Sequence, residues 1–102
     1  MDNNGHVKKT LVFRIHKNQN FDDLEIKESY SNYIADLNDL KLETLQIIQN
    51  NLVIFGRLVY QMKGSFVVVA KHDFDENLNI VPTLTEAYDL IEMEEIEREL
   101  ET

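Results

Sequence analysis

The sequence contains no cysteine and no tryptophan, a single proline and three glycines. Without cysteine there are no disulfides, no thiolate metal site and no cysteine nucleophile. With one Pro and three Gly there is no phosphate-cradling glycine loop, no dinucleotide fingerprint and no flexible linker. No apolar run approaches the roughly 18 residues that a membrane-spanning helix requires, and "MDNNGHVKKT" has no apolar stretch of the secretory kind. The expectation is a soluble, cytoplasmic protein. Histidines 6, 16 and 72 are too scattered for a ligand motif. Ser29, Ser31 and Ser65 lie outside any glycine-rich elbow, so no nucleophilic centre is apparent.

What remains is an ordinary globular composition. Hydrophobic residues make up 43% and charged residues 28% of 102 positions, enough for one domain over 1–102 and too little for two. There is no internal repeat. The net charge of −9 is unevenly placed: residues 83–102 hold eight carboxylates against Arg98, whereas residues 1–20 hold Lys8, Lys9, Arg14 and Lys17 against Asp2. Such a field disfavours direct binding of nucleic acid and draws in a basic protein, although solubility alone also accounts for it.

Periodicity divides the chain into elements. "VKKTLVFRIHK" alternates, with Leu11, Phe13 and Ile15 on one side and Val12 and Arg14 on the other, as a half-buried strand does. From Asn20 to Leu40, the residues Ile26, Tyr30, Tyr33, Leu37 and Leu40 recur at steps of four and three, which predicts an amphipathic helix with Asn20 as cap. The stretch 43–49 reads as a strand leading into a tight turn at Asn50–Asn51. The runs 52–61 and 65–72 are apolar on both faces and read as central strands joined by the turn "MKG". Thr83 followed by Glu86 is a capping box opening an acidic helix over 83–101. The expected fold is therefore α+β. It has a single, mostly antiparallel sheet of about four strands with two helices packed on one face, in the order β-α-β-β-β-α. After the first strand, the order helix, three strands, helix resembles double-stranded-RNA-binding domains in topology alone, and the acidic start of the last helix, "TLTEAYDL", argues against that function.

Two motifs have alternative readings. "DFDENL" begins like a calcium loop, but Leu78 and Leu84 stand where Gly and Glu are needed, so it reads as a polar turn and no metal or cofactor is expected. The last helix is more informative. Leu84, Ala87, Tyr88 and Ile91 cluster on one azimuth, while Met93, Ile96 and Leu100 fall on the far side. Either the helix runs intact and exposes a second apolar face, or it kinks near Glu92.

If it runs intact, Met93, Ile96 and Leu100 form the anchors of a partner-binding face, with Glu94, Glu95, Glu97 and Glu99 as an acidic rim. The reading that follows is a small non-enzymatic inhibitor or adaptor. Its partner would be a basic protein, in the sharp form one that handles nucleic acid, as the targets of small phage-type inhibitors do. The helix carries about one carboxylate per 3.4 Å of axis, close to the phosphate spacing of a DNA strand, which raises DNA mimicry as a special form. The alternatives are a homodimer formed through the same stripe, and a small ligand-binding domain or enzyme with Tyr30 or Tyr33 at the rim of its pocket.

Overall fold

The computed structural model describes residues 9–15 and 24–101. Its element order is β1 (Thr10–Arg14), β2 (Asn32–Asp36), α1 (Leu42–Gln61), β3 (Phe66–Val69), β4 (Ile80–Val81) and α2 (Leu84–Leu100). The proposed cap Asn20 lies outside the described residues.

The four strands form one sheet in the order β1-β2-β3-β4, and every neighbouring pair is parallel. Alternate residues of each strand face opposite helices. Phe13, Tyr33, Ala35, Phe66 and Val68 join Leu45, Ile48, Leu52, Phe55 and Val59 of α1 in the larger core. Val12, Ile34, Val67, Val69 and Val81 meet Ala87, Leu90 and Ile91 of α2 in the smaller one. The sheet thus has one helix on each face. Besides α1 itself, the described part of the first connection, through Leu24, Ile26 and Tyr30, and the last connection, through Phe74 and Leu78, pack on the α1 core.

This corrects the expected architecture. A mixture of helices with a four-stranded sheet stands. The antiparallel pairing, the placement of both helices on one face and the order β-α-β-β-β-α do not; the order is β-β-α-β-β-α. Two misread segments account for the difference. Tyr33, Ile34 and Ala35 are all buried because β2 is an inner strand covered on both faces, and a short run of that kind fits a helical template equally well. Residues 43–61, read as strand, turn and strand, are one helix whose buried residues Leu45, Ile48, Leu52, Phe55 and Val59 recur at steps of three and four. With that helix between β2 and β3, the chain returns to the same end of the sheet. Parallel pairing follows, since a tight hairpin joins antiparallel strands only.

Phe55 is the hub of the larger core. Its ring meets Phe13, Tyr33 and Phe66 edge to face, with centroids 6.1, 5.2 and 5.2 Å away. One turn of helix is kept open for this packing. A methyl group added at Gly56 would lie 3.0 Å from the Phe66 ring, which explains a glycine in a helix interior where Ala is favoured by about 1 kcal/mol. The turn read as "MKG" is the C-terminal cap of α1. Lys63 takes a positive φ of 67°, Gly64 N–H donates to Val59 O at 3.0 Å and Lys63 N–H to Tyr60 O at 3.1 Å, the paired bonds of a Schellman motif.

Candidate protein-interaction surface

The closing helix starts as its sequence indicates. Glu86 N–H donates to Thr83 Oγ1 at 3.1 Å, and the Thr83 hydroxyl donates to Glu86 Oε1 at 2.9 Å. From there α2 runs unbroken to Leu100, with Arg98 in its last turn. Glu101 N–H still donates to Glu97 O at 3.2 Å. The intact-helix alternative is therefore the one realised.

Its two faces separate clearly. Ala87 and Ile91 are buried against the sheet, while Met93, Ile96 and Leu100 are 60%, 51% and 81% exposed. At about 100° per residue these three lie opposite Ala87 and Ile91, so α2 turns them away from the sheet. Leu84 and Tyr88, grouped by sequence with the packed residues, are exposed at the helix flank.

The four rim carboxylates do not share one fate. Glu97 and Glu99 are exposed beside the apolar residues, whereas Glu94 and Glu95 are half-buried and face the domain. Glu95 Oε2 accepts from Asn32 Nδ2 at 2.8 Å, and Asn32 Oδ1 accepts from Ser65 N–H at 3.0 Å. The fully buried Asn32 thus ties β2, the segment entering β3, and α2 together. Glu94 Oε1 accepts from the Tyr60 hydroxyl at 2.9 Å. Further along, Arg98 Nη1 donates to Gly64 O at 3.4 Å. On the exposed side, Asp89 and Glu92 take up the acidic margin with Glu97 and Glu99. The carboxylates of α2 are therefore divided between inward and outward positions and do not form a single ridge of the kind a phosphate backbone presents.

Tyr60 lies where β3 and β4 begin. Besides Glu94, its hydroxyl lies 3.4 Å from the Phe66 carbonyl and accepts from Asn79 Nδ2 at 2.7 Å. Burial first, and the bond to Glu94 second, push its pKa up to about 12. A tyrosine used as an acid or base near neutral pH needs a shift the other way. The neighbouring pocket, about 200 Å³, has an apolar floor of Val53, Gly56, Phe66 and Leu78 under Arg57 and Asn79. Tyr33, named with Tyr30 as a pocket-rim candidate, is 1% exposed, and its hydroxyl contacts Lys27 N at 2.8 Å, Lys27 O at 3.0 Å and Tyr30 O at 3.1 Å.

In the 73–78 segment, Asp75 Oδ1 accepts from Asn77 N–H at 2.8 Å, the turn that Asp side chains favour. Among the described residues no group of His, Asp or Glu is disposed to hold a metal ion, and no helix is long and apolar enough to cross a membrane.

Comparison of the chain with protein families, curated proteins and solved structures finds no match. No family is shown. The functional reading therefore rests on the surface itself.

A second exposed apolar surface escaped the sequence. Ile47, Ile54, Leu58 and Met62 stand 80%, 57%, 46% and 59% exposed along α1. From the sequence alone, Ile54 and Leu58 are expected in a central strand, Ile47 in the strand 43–49 and Met62 in the turn "MKG". The signal that locates them is the 3–4 spacing of Leu45, Ile48, Leu52, Phe55 and Val59, which fills one helix face and leaves the others outside.

Proposed function

We propose that this protein is a small non-enzymatic binding domain, an inhibitor or adaptor, that offers the outer face of α2 to a basic protein partner. One observation carries the reading: an unbroken helix fixed to the sheet by Ala87 and Ile91 presents Met93, Ile96 and Leu100 outward within a margin of Asp89, Glu92, Glu97 and Glu99. Apolar anchors within a charged rim are the arrangement in which a few central residues supply affinity and the rim sets the encounter rate. The glutamates that face inward, Glu94 and Glu95, serve a different purpose here: they hold the helix at a fixed angle, so that the outer face is pre-organised. In its sharper form the partner is a nucleic-acid-handling protein, because a basic surface of that kind complements the acidic rim.

The test is affinity capture with wild-type protein and the Ile96→Glu variant in parallel, followed by titration of whatever the wild type retains. Ile96 is exposed, so the variant keeps the wild-type circular dichroism and melting temperature. The expected result is at least about a 30-fold loss of affinity in Ile96→Glu, and a wild-type association rate that falls as salt rises. Equal binding by the two proteins overturns the proposal.

A further inference from the structure

The outer side of α1 differs in kind from that of α2. Among the twenty residues of α1 only Glu43 and Arg57 are charged, in a chain of net charge −9. Exposed with its apolar residues are Gln46, Asn50 and Gln61, and none of these carries charge. From Thr44, the positions Ile47, Asn51, Ile54, Leu58 and Gln61 follow at steps of three and four, the spacing of a helix-pairing seam.

We propose that α1 pairs with α1 of a second copy of this chain, antiparallel about a two-fold axis that crosses the helix between Leu52 and Val53. Two features argue for a copy as the occupant. The first is self-complementarity. In that register Ile47 meets Leu58 of the other copy, Asn51 meets Ile54 and Thr44 meets Gln61, and each layer recurs on the far side of the axis as an isologous interface requires. Asn51 is the polar residue within the apolar layers, a device that fixes register at some cost in stability.

The second feature is charge. Two copies of an acidic chain meeting through α2 would set Asp89, Glu92, Glu97 and Glu99 against their equivalents. Meeting through α1 they bring together a nearly neutral surface, with Glu43 of each copy beside the positively charged Lys63 end of the other. Antiparallel helices also place each N-terminal dipole end against a C-terminal one. Since α1 and α2 cover opposite faces of the sheet, this dimer leaves both α2 faces outermost and open, so the two proposals stand or fall separately.

The experiment is sedimentation velocity over a concentration series spanning the micromolar range, on wild type, Ile54→Glu and Ile96→Glu. The expected result is a mass that rises toward that of a dimer for wild type and Ile96→Glu, and a monomer throughout for Ile54→Glu with an unchanged melting temperature. A wild-type monomer at every concentration, an Ile54→Glu variant that dimerises, or an Ile96→Glu variant that does not, overturns it. Cross-linking reads the register. The chain has no cysteine of its own, so a double Ile47→Cys, Leu58→Cys variant holds its only thiols. Within one helix the two positions are about 16 Å apart, beyond disulfide reach. Mild oxidation of the double variant should give a covalent dimer and Ile47→Cys alone should give little; equal yields overturn the antiparallel register.

Discussion

Gly64 shows how much a single residue can fix in this fold. It ends the cap of α1, and a methyl group added to it would collide with the Ser31 carbonyl oxygen, just before β2. The added carbon is fixed by its own backbone and the atom it meets is backbone too, so no side-chain rotation relieves the clash. Gly64→Ala is expected to cost about 3 kcal/mol or more, read as a lower urea midpoint at unchanged slope. The preceding residue, Lys63, already holds the left-handed conformation of the cap, so the glycine is retained for the close approach. In the sequence Gly64 was legible as a turn, since glycine punctuates elements of either type. That it caps a helix was not, because the run before it, apolar on both faces, reads equally as a strand.

At the scale of elements, the two helices are stabilised differently. α1 is held by a long buried stripe around Phe55, each large side chain of which contributes about 1.5–3 kcal/mol. α2 buries only Ala87 and Ile91 fully and depends more on its ends and on polar ties to β2 and Gly64. Loss of its cap should therefore be felt. Thr83→Ala is expected to lower stability by about 1 kcal/mol by chemical denaturation, with fraying at the first turn visible as faster amide exchange at Glu86. This start was legible because a capping box is a local signal. The strand and helix assignments of 20–61 were not, because β2 is buried on both faces and α1 carries apolar residues on both. Each then loses the contrast between faces that a periodicity argument uses. The residues that hid α1, Ile47, Ile54 and Leu58, are the same ones that make its outer side an interface candidate.

For the molecule as a whole, both helices, the start of β3 and Asn79 just before β4 meet through Tyr60. Its pKa, raised from 10 to about 12, makes the native state hold a proton that the unfolded chain releases. Stability from this group is complete below pH 10 and falls as pH rises through 10 toward 12. Tyr60→Phe, which cannot ionise, should flatten that fall in a plot of melting temperature against pH while losing some stability at neutral pH.

The sequence by itself determined the features that depend on composition or on a few adjacent residues. These are the absence of thiol chemistry, the acidic charge, the first strand, the cap at Thr83 and the doubled apolar face of the last helix. The tertiary structure alone decided the parallel order of the strands, the placement of one helix on each face, the inward turn of Glu94 and Glu95, and the exposure of the α1 stripe. Those depend on which distant segments lie side by side. Asn32 and Glu95, sixty-three positions apart, come together only because α2 returns across the sheet toward the starts of β2 and β3.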